Sequence, residues 1–380
     1  MIRLLTSGES HGKSLTVIIE GLPAGLKIDL DFLNEELSRR QKGYGRGNRM
    51  KIEKDEIEIL SGIRFGETIG SPITFLIQNR DFENWKDIMR IEGEKNVEKV
   101  TSPRPGHADL SGTLKYNRED IRDILERASA RETSGRVAAG AIFKTFLREF
   151  GVKIYSHTIS IGKIKIKENK RSFEEIENTP LRCRDPEREK EMMELIDEAR
   201  KNGNSLGGVS EIIAKGVCPG IGSYTHFDRR LDTKIAGGMM SIPSVKAVEI
   251  GEGIQNTEMF GSEVHDEIFY DKKKGFYRLT NRAGGIEGGM SNGEDIIVRI
   301  FMKPIPTLSQ PLRSVDLITK KQTFAQKERA DTCIVPAAGV IGESVLAYIL
   351  TDAFLEKFGG DCMEDIKANY NFYIKRIKSV

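Results

Sequence analysis

Apolar residues recur along the chain with two periods. Seven runs of β-branched and other apolar residues lie between Gly, Pro or Asn: 15–19, 57–65, 73–77, 152–166, 209–217, 245–250 and 296–302. Such runs predict strands. Elsewhere the spacing lengthens to three and four residues. Asp29 or Asp31 can cap a helix that turns Leu30, Leu33 and Leu37 inward and ends before Gly43. Asn117 can cap a second, carrying Ile121, Ile124 and Leu125. Thr133 or Ser134 opens a third, with Val137, Ala141, Phe146 and Phe150 on one side and Gly151 at its end. Asp185-Pro186 starts a charged helix through Ala199 that Asn202-Gly203 stops. The last helix runs over about 342–358, up to Gly359-Gly360.

Strands and helices alternate without the even beat of a TIM barrel or Rossmann sheet. The pattern predicts the α+β class, as a layered β-α-β sandwich. No Pro/Ser-rich linker divides it, so one domain over 1–380 is expected, with a charged peripheral excursion at about 163–203. The segment from Leu15 (LTVIIEGLPAG) echoes that from Val209 (VSEIIAKGVCPG), each followed by an Asp-bearing, Arg-containing segment. Two pseudo-symmetric halves would produce that echo, and chance likeness of two strand–turn segments is the alternative.

Composition narrows the classes. Hydrophobic residues are 38% and charged residues 31%, a globular mix rather than a disordered one. Glycine supplies 38 of 380 residues, above the usual share of roughly 7%, in pairs at 237–238, 284–285 and 288–289. Paired glycines predict backbone packed close to something. A net charge of +2 argues against a globally basic nucleic-acid binder. The four cysteines, at 183, 218, 333 and 362, make no CxxC pair and no zinc spacing, so a reduced, cytoplasmic thiol set is expected. The start, MIRLLTSGESHGKS, has no apolar core of signal-peptide length. Pro336, Gly339, Gly342 and Glu343 interrupt the oily stretch 333–350, which predicts no bilayer crossing.

Seven segments carry candidate chemistry. Residues 38–51 (SRRQKGYGRGNRMK) concentrate Arg39, Arg40, Lys42, Arg46, Arg49 and Lys51 beside three glycines with no acid. Guanidinium forks bind phosphate or carboxylate in pairs of bonds, so an anionic small-molecule site is expected, against a solvated basic loop. His11 in GESHG and His107 in RPGHAD sit in tight frames where imidazole can serve as acid or base. No HxH or HExxH spacing supports a metal. In RASARETS, Ser129, Thr133, Ser134 and a helix N-terminus favour a bound anion, the plain alternative being a cap with surface arginines. The glycine-rich 284–293 segment and Lys303-Pro304-Ile305-Pro306-Thr307 bracket a strand without a Rossmann fingerprint. Arg329-Ala330-Asp331 precedes an apolar run and also reads as a structural ion pair.

Together GESHG, RRQKGYGRGNRMKIE, RPGHADLSG, RASARET, VKAVEIG, AGGIEGG, KPIPT and RAD resemble the chorismate synthase family, in that family's order, from residue 8 to about 345. Ala330 and Pro243-Ser244 depart from the family pattern. The resemblance implies a β-α-β sandwich, usually a homotetramer. It also implies a shikimate-pathway lyase that eliminates phosphate from 5-enolpyruvylshikimate 3-phosphate. Reduced FMN is needed although no net redox change occurs. By the same resemblance Arg40, Arg46, Arg49, Arg104, Arg131 and Arg329 would bind substrate. Arg127, Ala128, Ser129, Ser244, Gly288, Lys303 to Thr307 and Arg329 would hold FMN. His11 would protonate the departing phosphate, His107 would stabilise the protonation state of the reduced flavin, and Asp331 would assist removal of the C6 proton. Arg40 and Arg46 are elsewhere associated with NADPH, which suits only members that reduce their own flavin; otherwise an external flavin reductase supplies FMNH2. A flavin oxidoreductase with net hydride transfer, or a polyanion-binding protein using residues 39–51, are the competing classes.

Overall fold

The computed structural model describes residues 1–47, 54–94, 96–273, 275–328 and 331–379. Its first half contains β1 (Arg3–Ser7), β2 (Ser14–Glu20), α1 (Leu30–Gln41), β3 (Ile57–Ser61), β4 (Ile73–Gln78) and α2 (Thr133–Arg148). The second half repeats that order: β5 (Lys153–Ile161), β6 (Gly208–Lys215), α3 (Leu231–Met240), β7 (Val245–Ile250), β8 (Ile296–Met302) and α4 (Val335–Phe358). A further helix, α5 (Met363–Ile377), follows. The first sheet runs β1-β2-β4-β3 and the second β5-β6-β8-β7, with the short strand Ile164–Lys165 beyond β5. All these pairings are antiparallel. The echo between Leu15 and Val209 is therefore topological: β2 and β6 occupy equivalent places, as do α1 and α3.

The helices lie between the sheets. α2 packs on β1, β2 and β5, and α4 on β5 and β6, while α1 and α3 flank them. Strand alternation explains the layering. In β4, Ile73, Phe75 and Ile77 are buried while Thr74 and Leu76 are only partly covered. Burying a side chain such as Phe75 contributes about 1.5–3 kcal/mol. α2 and α4 cross closely because Gly140 leaves room: a Cβ there would sit 2.2 Å from the Ser344 Cβ.

Three expectations need revision. α4 begins at Val335, seven residues before the expected start, because Pro336 sits in the first turn, where its missing N–H costs nothing. Gly339 and Gly342 admit Ser156 and Ile212 of the second sheet rather than breaking the helix. Hence α4 is continuous and, by length and composition, long and apolar enough to cross a bilayer; the protein's own core covers it on nearly every side. Asn117 does not open a helix. It closes Asp109–Tyr116 in a left-handed conformation with φ 50°.

The charged excursion joins β5 to β6 through the helix Pro186–Lys201, whose Met192 and Ile196 enter the core. From it Arg182 and Glu177 reach a buried ion network. Glu343 of α4 accepts from Lys144 at 2.5 Å, from Arg39 at 2.8 Å and from Arg182 at 3.2 Å. Burial pushes the Glu343 carboxyl up, but these three cations outweigh it and hold the group ionised. Arg39 is thus anchored inward, and its neighbour Arg40 emerges from the same last turn of α1.

Candidate active site

The ends of both halves meet around a cavity of about 300 Å³. That volume lies at the small end of ligand pockets, roughly 300–1,000 Å³. His11 comes from the β1–β2 loop, and Arg40 and Arg46 from the end of α1 and the loop beyond it. Arg104 and His107 come from the loop before the helix Asp109–Tyr116; Ala128, Ser129 and Arg131 from the entry to α2. The second half supplies Pro243 and Ser244 before β7, Lys303, Ile305, Pro306 and Thr307 after β8, and Asp331 before α4. Separate segments of the chain therefore converge on one concavity.

Arginines dominate its polar wall. Asp29 accepts from the Asp31 and Phe32 amides, capping α1 at the far end from Arg40. Arg40 Nε donates to Thr133 Oγ1 at 3.0 Å and Nη2 to the Ala130 carbonyl at 2.9 Å. Its buried Nη1 has no hydrogen-bond partner among the described residues, and Asp55 stands 3.8 Å away. Burial pulls this guanidinium down to about 9, with Asp55 opposing and the charges of Arg46 and Arg131 adding to the fall. A buried cation short of counter-charge is an anion receptor. Arg131 is better served: Nη1 donates to both Asp55 oxygens at 2.6 Å and Nε to Asn79 Oδ1 at 2.8 Å.

Lys42 is exposed and Arg49 and Lys51 lie outside the described residues, but the two arginines that end α1 are not solvated. The side chains of Arg39 and Arg40 are only 11% and 4% exposed. Arg39 and Arg40 are therefore not placed for the polyanion-binding class, which needs charges on the surface.

Both histidines lean on carboxylates. His11 Nδ1 lies 2.9 Å from Glu126 Oε1, and the His11 amide donates to Oε2 at 2.8 Å. Trp85, the chain's single tryptophan, stacks on the His11 ring with centroids 3.9 Å apart and planes 23° apart. Burial alone would push the Glu126 carboxyl up; hydrogen bonds and charge from His11, with Arg122 adding, hold it below the usual range. His107 Nδ1 lies 2.5 Å from Asp109 Oδ1. Asp109 is likewise raised by burial but held well below its ordinary value by His107 and Arg104.

Other expected groups have existing tasks. Arg104 Nε donates to Asp109 Oδ2 at 2.8 Å, and Nη1 to Thr307 Oγ1 at 2.9 Å, so its fork is largely engaged within the protein. Lys303 Nζ donates to the Gly106 carbonyl at 2.5 Å. Burial, then the Lys246 charge, lowers its ammonium group. Ser244 holds a left-handed φ of 73°, and its carbonyl accepts the Lys303 N–H at 3.0 Å. A non-glycine residue there stores roughly 1–2 kcal/mol of strain, which locates the departure Pro243-Ser244 at the cavity wall. Asp331 Oδ1 accepts the Gly47 N–H at 2.6 Å, and Oδ2 lies 3.2 Å from Arg46 Nη1. Among the described residues its ion-pair partner is Arg46; the expected Arg329 lies outside them.

Three expected contacts are not on this wall. Arg127 is exposed and turns away, donating to the Thr6 and Gly8 carbonyls of β1 and its exit. Gly288 is exposed in the hairpin formed by Ile286–Glu287 and Met290–Ser291, and Pro304 faces outward while its neighbours line the cavity. Arg49, Arg329 and Ala330 lie outside the described residues. Sequence reasoning missed Trp85, Glu126 and Asp55. Trp85 and Glu126 meet His11 from far along the chain, 115 residues away in the case of Glu126, so no local spacing marks them.

Comparisons with known proteins show the family. The family model described as chorismate synthase matches residues 2–355. A chorismate synthase of Carboxydothermus hydrogenoformans is 54% identical over 382 residues, covering 99% of each chain. One of Aquifex aeolicus is 54% identical over 392 residues, covering all of this chain and 98% of its own. A crystal structure titled chorismate synthase superimposes with a TM-score of 0.81 at 44% identity, covering 100% of this chain and 99% of that one. The chain belongs to the chorismate synthase family.

Proposed function

We propose that the protein converts 5-enolpyruvylshikimate 3-phosphate into chorismate and phosphate by 1,4-anti elimination, acting as one catalytic unit within a homotetramer. The observation that carries this reading is Arg40, buried and short of counter-charge, facing His11 across one cavity. The substrate bears a phosphate and two carboxylates, and forked donors suit all three. Arg40, Arg46 and Arg131 bind it from one side, with Arg49 and Arg329 as further candidates. His11 holds a proton at Nε2 for the departing phosphate oxygen, while Nδ1 stays on Glu126. Asp331 offers an acceptor-only carboxylate for the proton lost from C6.

The remaining wall fits a phosphorylated planar ring. Leu125, Ala128, Ile305, Pro306 and Ile334 make flat apolar cover, and Ser129, Ser244, Lys303 and Thr307 add polar groups. These residues would hold reduced FMN, with His107 beside it. When bound, reduced FMN supplies electron density to the reacting ring and regains it, so the elimination has no net redox change. An external flavin reductase, with NADPH acting only through it, is the expected source. A visible absorption spectrum with FMN, repeated after adding the phosphorylated substrate, tests the reading. Substrate should strengthen and perturb flavin binding; no flavin bound under either condition would sink it.

A further inference from the structure

We propose that Glu126 is the positioning residue of His11, fixing the ring so that Nδ1–H points to Glu126 and Nε2 is left to meet the substrate. The proposal rests on the reading of His11 as proton donor. Glu126 grips its partner three ways: the His11 amide donates to Oε2 at 2.8 Å, Nδ1 lies 2.9 Å from Oε1, and the Ser10 amide donates to the Glu126 carbonyl at 2.9 Å. Backbone and ring are thus set by one residue. Two bonds to one carboxylate leave the ring little freedom to turn about its own χ angles.

The outer support is equally specific. Arg122 Nη1 donates to Glu126 Oε1 at 3.0 Å, and its guanidinium carbon stands 4.9 Å from the centre of the Trp85 ring. Trp85 in turn covers a face of His11. Among the described residues, Arg122 pairs with Glu126, and Glu328, from the segment before α4, lies 3.5 Å from Arg122. A carboxylate only 3% exposed is costly unless paired, and this one is paired to His11 and Arg122. It stays ionised because those partners outweigh its burial.

The chemistry follows. As the C3–O bond breaks, the Nε2 proton passes to the phosphate oxygen and the ring becomes neutral with Nδ1–H still on Glu126. An unassisted neutral imidazole would be free to keep its proton on Nε2 and turn a lone pair toward Glu126, which two acceptors make unfavourable. A merely structural Glu126 would secure the fold without governing this choice.

Two measurements test the proposal. In the wild-type protein without ligands, ¹⁵N-histidine NMR of the deprotonated His11 ring, assigned by the signal missing in His11→Ala, should find the Nδ1–H tautomer, the form left after the Nε2 proton has gone. Finding Nε2–H would overturn the proposal, and this result needs no variant of Glu126 to fold. Glu126→Gln should lower kcat by about 10–100-fold, the scale of a lost orienting partner, with KM for the phosphorylated substrate within about twofold and partial rescue by Glu126→Asp. A lowered melting temperature with kcat per folded molecule unchanged would also overturn it. If His11→Ala turned over at the parental rate, the donor reading would fall and this proposal with it. If His11→Ala were slow but Glu126→Gln parental, this proposal alone would fail.

Discussion

Asp331→Asn separates chemistry from scaffolding. The carboxylate accepts from Gly47 N–H at 2.6 Å and lies 3.2 Å from Arg46 Nη1. Asparagine keeps an acceptor for Gly47 but loses the charge that faces Arg46. At an effective dielectric of about 20, unit charges 3.2 Å apart attract by roughly 5 kcal/mol. Desolvation of two largely buried ions offsets most of this, leaving about 1.5–3 kcal/mol. An unfolding entropy of about 2.1 cal/mol/K per residue over 380 residues is roughly 0.8 kcal/mol/K, so the melting temperature should fall by only ~2–4 °C. Turnover should fall far more, by about 10²–10⁴-fold, because an amide cannot take up the C6 proton. Asp331 would no longer compete with the substrate for Arg46, so KM should not rise. Single-turnover assays with C6-deuterated substrate, beside thermal melts of the same variant, measure both effects. The isotope effect should exceed that of the parent. A lowered melting temperature with an unchanged rate per folded molecule would refute the catalytic role of Asp331.

Three further outcomes are expected. His11→Ala should slow turnover ~10²–10⁴-fold with flavin affinity near the parental value, measured by titration and steady-state kinetics; a parental rate would remove His11 from the mechanism. Inorganic phosphate at a hundred times its Kd should stabilise the protein by about 2.7 kcal/mol, or roughly 3 °C by the same entropy, and Arg40→Met should abolish the effect; equal protection by sodium chloride at matched ionic strength would contradict an anion receptor at Arg40. Glu126 has a folded value below its unfolded one, near 4.3, so below that pH the unfolded chain binds more protons. Its stabilisation is present above that pH and lost as pH falls through the folded value, and Glu126→Gln should flatten that acid limb in urea melts; parallel limbs in both proteins would refute it.

Much of the fold was legible because alternation survives burial. β2, β4 and β8 show it plainly, and the echo of β2 in β6 exposed the duplicated topology. Other features hid behind residues with two meanings. Pro336 reads as a breaker but sits in a first helical turn, and Asn117 reads as an N-cap but closes a helix in the left-handed region. Gly237-Gly238 predicted close packing, which holds at Gly238, where a Cβ would lie 2.6 Å from Ile349 Cδ1, but not at Gly237, where a Cβ would meet nothing within 4 Å; the same pair concealed α3 as a helix. In the site, segments with several charged or hydroxyl groups announced themselves: Arg40, Arg46, His11 and Lys303 share one cavity. Their partners did not. Glu126, Trp85 and Asp55 act across long sequence separations, where only tertiary packing decides who meets whom.

The most direct test of the central claim is an anaerobic assay with a fixed, limiting charge of reduced FMN and excess phosphorylated substrate. Phosphate and a proton leave together, so the reaction changes no oxidation state overall. Chorismate should accumulate over many turnovers per flavin while the flavin spectrum at the end remains that of the reduced form. One flavin oxidised for each chorismate formed would contradict the account.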